Sequence, residues 1–224
     1  MVKGPLPLGM SGMGNRKTVV VTESVDVLAI SVDDMKKYLR ESGSANDAII
    51  YGYIEAATDL AKQYTRRALR TETLTFTLDG FVAGDEDDAI VAFGAGMHEV
   101  SRSFILGGDG FVDLPFTPTQ SVTSVKTFDR DNVESTFDAA KYGVDLNSGR
   151  VYLHEGEIWP VNLRAREAVK IEYVAGWGSG SIPMPIIQGI ISLVQSMYEG
   201  CGMAMSGGTK SWLDPYRRMD QLSW

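Results

Sequence analysis

Thr73-Leu-Thr-Phe-Thr-Leu-Asp79 alternates strictly, with Leu74, Phe76 and Leu78 on one face and threonines on the other. Successive side chains of an extended chain point to opposite faces, so a period of two predicts a half-buried strand. Just upstream the period is different. Ile49, Ile50, Tyr53, Ile54, Ala57, Leu60, Ala61, Tyr64 and Ala68 recur every three or four residues, with Glu55, Asp59, Lys62, Gln63, Arg66 and Arg67 on the other face. That spacing predicts an amphipathic helix, capped by Asn46 or Ser44 and running to Ala68. The switch near residue 71 decides the fold class, because helices give way to strands without βαβ alternation.

Working outward, Ser31-Val-Asp-Asp34 has the form of a helix N-cap with an acid three positions later. It predicts a short helix through Met35, Tyr38 and Leu39, ending near Gly43. Residues 1–17 hold four glycines, two prolines and three methionines, which predicts a flexible or extended arm. Val19, Val20 and Val21 favour a short strand, but the polar stretch after them weakens it.

Downstream, strands are predicted over Phe111–Phe116, Val122–Phe128, Tyr142–Leu146, Arg150–Leu153 and Val169–Val174. Gly107-Gly-Asp-Gly110, Asp129-Arg-Asp-Asn132 and Asn147-Ser-Gly149 separate them as turns. Pro183 and Pro185 then open a helix with Ile186, Ile187, Ile190, Ile191, Val194, Met197 and Tyr198 as its apolar stripe, and Gly200 and Gly202 stop it. Ser206-Gly-Gly-Thr209 suggests a flexible linker into a last segment. The expected architecture is α+β: a helical bundle, with two N-terminal helices (28–70) and a C-terminal helix (183–203). An antiparallel β-module (71–182) is inserted, with an insertion loop at 82–110, an N-terminal arm (1–27) and a C-terminal tail (204–224).

Composition narrows the function. The 224 residues are 44% apolar and 22% charged, as in ordinary globular proteins. No apolar run approaches the roughly 20 residues of a membrane span, so no membrane role is expected. The first thirty residues lack the continuous apolar stretch of a signal peptide. Twenty-one Lys and Arg stand against 29 Asp and Glu, a net charge of −8. That balance argues against a protein that grips phosphates over a broad face. Cys201 is the one cysteine, and His98 and His154 the two histidines, so disulfide frameworks and Cys- or His-rich metal centres are excluded. The cysteine usage points to an intracellular setting.

Chemical motifs are weak throughout. Gly178-Ser-Gly180 lacks the flanks of a nucleophile elbow. Asp129-Arg-Asp-Asn-Val-Glu134 begins like a calcium loop but lacks the sixth-position glycine and the distal glutamate, so a polar turn is preferred. Asp85-Glu-Asp-Asp88 fits a solvated acidic loop. Neither Gly107-Gly-Asp-Gly110 nor Gly176-Trp-Gly-Ser-Gly180 continues into Gly-Lys-Ser/Thr, so neither is a P-loop. Arg66, Arg67 and Arg70 cluster at the end of the long helix, where they complement its dipole or meet an acidic partner. No catalytic residue, cofactor or metal is expected. The tail stands out instead: Trp212, Tyr216, Leu222 and Trp224 follow a glycine linker, as exposed aromatics that suit docking into a partner. A tail folded back on its own domain is the alternative.

The order of these motifs resembles the head–tail connector (adaptor, or head-completion) proteins of long-tailed double-stranded DNA bacteriophages. The residues that carry the resemblance are the helical pair from Ser31 to Leu69, the strand Leu74 to Gly80 and Leu114-Pro-Phe-Thr-Pro118 with Ser121-Val-Thr-Ser-Val125. Tyr142-Gly-Val-Asp145, Ser148-Gly-Arg-Val151, Trp159-Pro160, Val169 to Gly178, Ile182 to Ile187 and Leu213-Asp-Pro-Tyr-Arg217 complete it. Coverage runs from about residue 28 to 218. Residues 1–27 and 82–110 depart from the pattern. The resemblance implies a virion neck protein, assembled from host cytoplasm into a homo-oligomeric ring, typically of twelve copies. Such a ring sits beneath the portal protein, lets double-stranded DNA pass without sequence-specific binding, and offers a platform to a stopper or tail-completion protein. It further implies portal docking by the C-terminal segment, through Trp212, Leu213, Pro215, Tyr216, Arg217, Arg218 and Trp224. Rival expectations are another virion ring component (a stopper or tail terminator), a small β-rich hydrolase or sugar-binding domain, or a DNA-binding module.

Overall fold

The structure is a computed structural model and describes residues 17–24, 28–81, 111–178, 180–202 and 205–218. Its elements run β1 (Lys17–Ser24), α1 (Val32–Leu39), α2 (Asp47–Thr65), β2 (Glu72–Leu78), β3 (Phe111–Asp113), β4 (Thr119–Phe128), β5 (Glu134–Thr136), β6 (Tyr142–Asp145), β7 (Arg150–Leu153), β8 (Val169–Ala175), α3 (Met184–Tyr198) and α4 (Gly207–Leu213). Single 3-10 turns cover Ala139–Lys141 and Asp214–Tyr216. The α+β class and the helical bundle with an inserted antiparallel module are as the sequence predicts.

Ser31 caps α1 as expected: its hydroxyl oxygen accepts from the Asp34 N–H at 3.1 Å, and Lys37 pairs with Asp34 at 2.7 Å. The helix stops at Leu39, before Gly43, because Arg40 turns left-handed (φ 57°). In α2 the predicted Asn46 is the N-cap residue, but its side chain leaves the backbone alone. Its amide donates instead to Glu41 and to the Tyr198 hydroxyl, both at 3.3 Å, tying the start of α2 to the end of α3.

α2 ends at Thr65 rather than at Ala68, since Arg66 is left-handed (φ 54°). The next buried residues diverge. Ala68 joins the core of the β-module, whereas Leu69 joins the helical core with Met35, Ile50, Ile54, Ala57, Ala61, Ile186, Ile190 and Val194. Ile49, placed on the apolar stripe by periodicity, is about half exposed, at 51%.

The predicted alternation of β2 holds in full. Leu74, Phe76 and Leu78 are buried and the threonines face outward. Their partners are Tyr173, Ile171 and Val169 of β8, the central strand of a sheet ordered β1-β2-β8-β4-β5. The register begins at Glu72↔Ala175, so the first residue of the module lies beside the last residue of its final strand. A second sheet, β3-β7-β6, contributes Val112, Val151 and Tyr142 to the same core, where Trp159 stacks on Phe81 at 4.2 Å. Glu72 is 3% exposed and pairs with Lys62, a buried ion pair that bolts α2 to β2.

Three sequence expectations change. β1 is a full edge strand within the predicted arm, because its backbone pairs with β2 from Lys17↔Leu78 to Ser24↔Glu72. Ser206-Gly-Gly-Thr209 is no linker but the cap and first turn of a fourth helix. Ser206 Oγ accepts from the Thr209 N–H at 3.1 Å, and Thr209 Oγ1 meets Ser192 of α3 at 3.0 Å. The predicted strand Phe111–Phe116 is cut to three residues. The insertion at 82–110 and the first sixteen residues lie outside the described residues.

Gly176 marks where the module returns to the bundle. Its φ of +111° suits glycine alone, and a Cβ there would run into the Arg70 carbonyl, a backbone atom that cannot swing away. Gly176→Ala is expected to lower stability by at least ~2 kcal/mol, through positive φ and overlap together. Urea denaturation of the two chains checks this.

Candidate interaction surface around the C-terminal segment

The C-terminal segment forms a clasp across both cores. α4 lies on α3 where Gly189 has no side chain: a Cβ there would come within 2.7 Å of Leu213 Cδ2. Leu213 is fully buried in that notch, which contributes about 1.5–3 kcal/mol of burial. The segment is then tied to the residues that follow α2. Arg67 Nε donates to the Tyr216 carbonyl at 2.7 Å, and its Nη1 reaches Thr117 Oγ1 at 3.2 Å. The Arg218 N–H donates to the Thr65 carbonyl at 3.0 Å, satisfying an acceptor at the end of α2. Arg218 Nη1 donates to the Leu114 carbonyl at 2.6 Å, and Nη2 lies 3.8 Å from Asp113. Helix, sheet and tail thus converge on two guanidinium groups.

Burial pulls the Arg67 and Arg218 guanidinium groups below their ordinary pKa. They stay cationic at neutral pH, since arginine titrates far above it. Tyr173 completes the site, donating from its hydroxyl to the Pro115 carbonyl at 2.6 Å; burial pushes its phenol well above the usual tyrosine range. On the outer side, the Tyr64 hydroxyl donates to Asp214 at 2.5 Å, which raises the tyrosine pKa, and the Arg217 guanidinium lies 5.2 Å from the Tyr64 ring centre.

Six of the seven residues predicted for docking, all but Trp224, lie within this clasp and do not hang on a free tether. Leu213 is core, the Arg218 side chain is 12% exposed, and Tyr216 is half-buried against the helical cluster. Trp212, Pro215 and Arg217 face outward, with Trp212 at 47% exposure. Trp212 and Pro215 stand three residues apart, a spacing that puts them on one side of the final turns. Trp224 and Leu222 lie outside the described residues. The basic cluster is likewise structural: Arg70 Nη1 holds both Glu55 oxygens at 2.7 and 2.9 Å, and Nη2 lies 3.6 Å from Asp59.

The other candidates resolve as scaffold. Asp129 Oδ1 accepts from the N–H groups of Asp131 and Val133, both at 2.9 Å, which makes that loop a turn held by its own side chain. Among the described residues no group of three His, Cys, Asp or Glu is placed to hold a metal ion, and no helix is long and apolar enough to cross a membrane. His154 is exposed with its ring against the edge of Tyr152, and Cys201 is exposed. His98, Asp85–Asp88 and Gly107–Gly110 lie outside the described residues. One cavity of about 80 Å³ sits between Leu28, Leu69, Trp177 and Ile182. A more open groove of about 420 Å³ is lined by Ile30, Tyr38, Met184 and Ile187, with the Asp34–Lys37 pair at its side. Neither gathers convergent nucleophiles, acids or bases.

No family model matches the chain, and no curated protein matches it. Solved structures do match over nearly its whole length. A chain in the neck of an empty GTA particle, computed with C6 symmetry, superposes with a TM-score of 0.68 at 20% identity, covering 92% of this chain and 98% of that one. A chain in the virion of a native gene transfer agent (GTA) particle gives 0.62 at 20% identity, with the same coverage. A third, in the neck of a native GTA particle computed with C12 symmetry, gives 0.59 at 18% identity, covering 90% and 97%. At these identities the likeness is one of fold.

Truncating either clasp arginine takes a donor from a part-buried carbonyl, that of Tyr216 or that of Leu114. Arg67→Ala and Arg218→Ala are each expected to cost ~1–3 kcal/mol of stability. The double variant should lose less than the sum, because both side chains hold one segment. A double-mutant cycle by chemical denaturation measures the difference.

Proposed function

We propose that the chain is a structural subunit of the neck of a phage-like or gene-transfer-agent-like particle, and not an enzyme. The observation that carries this reading is the full-length fold correspondence with neck chains at a TM-score of 0.68. Two such necks were computed with C6 and C12 symmetry, which favours a ring of identical copies here. The net charge of −8 suits a conduit past which DNA slides, since a chain of that sign offers phosphates little purchase.

Within the neck the chain is assigned to the adaptor position, against the portal on one side and a stopper or tail-completion protein on the other. Docking falls to the outward members of the clasp, Trp212, Pro215 and Arg217, a pairing of aromatic and arginine that carries binding energy well. Leu213, Tyr216 and Arg218 hold that surface in place. Removing the whole segment is consequently a poor test, because it would open the helical core.

The test is co-sedimentation of the purified chain with the portal ring of the same genome. Binding in a fixed, ring-like ratio is expected, and Trp212→Ser combined with Arg217→Ser should weaken it by at least about tenfold while leaving the melting curve in place. A folded chain that ignores an intact portal would move the assignment to a stopper or tail terminator. Undiminished binding by the double variant would remove the clasp from the interface.

A further inference from the structure

The five-stranded sheet is open at both ends among the described residues. At one end stands β1, eight residues long, paired with β2 on its inner side. At the other end β5 covers only Lys126, Thr127 and Phe128 of the ten-residue β4. A bond from the Phe137 N–H to the Val125 carbonyl adds one more position. The first half of β4, residues 119–124, has β8 on one side and no described strand on the other.

Such edges expose rows of backbone donors and acceptors, and proteins usually blunt them with proline, mid-strand charge or coverage. Among the described residues β1 has none of these along Thr18-Val-Val-Val-Thr22. Its charges, Lys17 and Glu23, stand beyond that run, and its register shift falls after Val21. Val20 and Val21 are 55% and 45% exposed. A β-branched, uncharged edge of this kind is a template for a further strand.

The occupant that fits is the opposite edge of the same sheet on a second copy. Every neighbouring pair in the sheet is antiparallel, so β1 and β8 run one way and β2 and β4 the other. β1 laid beside β4 of the next copy is therefore antiparallel as well. The faces also agree. Val19 and Val21 pair with Phe76 and Leu74 on the core face, and Val122 pairs with Tyr173 on that face. Thr18 and Val20 share the outer face with Ser121 and Ser124 in the same way. Because the two edges differ, the contact repeats head to tail and closes under rotation, whereas β1 against β1 would stop at a two-fold dimer.

We infer that β1 of one copy adds to the open half of β4 of the next, so that the sheets of successive subunits join around the ring. This rests on the ring proposed above, and the experiment separates the two. In a Cys201→Ser background, which removes the sole cysteine, Val20→Cys is combined with Ser121→Cys or with Ser124→Cys. All these positions lie on the surface or the outer face, so the fold is kept. Directly opposed residues of an antiparallel pair have Cα atoms ~4.5–5.5 Å apart, within the span of a disulfide.

Mild oxidation of one double variant should give a covalent ladder that ends at the copy number of the ring, while each single variant stays uncrosslinked. Ring formation is followed in parallel by electron microscopy, on the purified chain and on particles that carry it. Rings without a ladder in either double variant would overturn the strand pairing and leave the ring standing. Covalent dimers from Val20→Cys alone would overturn it in favour of two-fold β1 pairing. Absence of rings in both the purified chain and the particles would overturn the ring reading and this inference with it.

Discussion

Ala68 and Leu69 are adjacent, fully buried, and committed to different cores. A backbone can deliver neighbouring side chains to opposite sides only when it is extended, so α2 must end before Ala68. The left-handed Arg66 ends it. That termination leaves helix carbonyls needing donors, and the C-terminal segment supplies one at Thr65 through the Arg218 N–H. It also points Arg67 toward Tyr216 and Thr117. The Ala68 N–H, turned the other way, bonds the Phe116 carbonyl of the β-module. Bundle, module and tail are thus arranged around one short passage of chain.

This makes the C-terminal segment part of the fold and a presenter of surface at once. Leu213 fills the notch left by Gly189, while Trp212, one residue earlier, faces solvent. A surface residue whose neighbour is buried has less backbone freedom to lose on binding than one on a free tether, which supports the docking role proposed for Trp212. The same economy applies to Arg217, held over Tyr64 while Tyr64 bonds Asp214.

Legibility in the sequence followed the range of the interactions. The alternation of β2, the Ser31 cap and the stripe of α3 were readable because each depends on residues within a turn or two. The end of α2 was not, since it rests on Arg218 and on a core shared with residues beyond 111. Sequence offers Arg67 only a helix dipole or an acidic partner, because its actual partner, the Tyr216 carbonyl, lies 149 positions away. β1 was undervalued for the same reason: a strand's worth depends on its neighbour, and β2 starts 48 residues after β1 ends at Ser24. Ser206-Gly-Gly-Thr209 reads as a linker because two glycines outweigh the Ser206 cap, and the contact that fixes Thr209, with Ser192, lies across the bundle. The C-terminal aromatics stand out in the sequence, but the burial of Leu213 beside an exposed Trp212 depends on the notch at Gly189, 24 positions earlier.

The register Glu72↔Ala175 has a consequence for how the chain folds. The helical core is drawn from two distant stretches, residues 28–69 and 177–216, which a long intervening chain would hold apart. Closing that loop costs conformational entropy that grows with its length. Once β2 and β8 are zipped together, however, the end of α2 and the start of α3 are tethered side by side. Their encounter becomes a local event at high effective concentration instead of a search across more than a hundred residues. The inserted module therefore acts as a splint for the bundle that it interrupts.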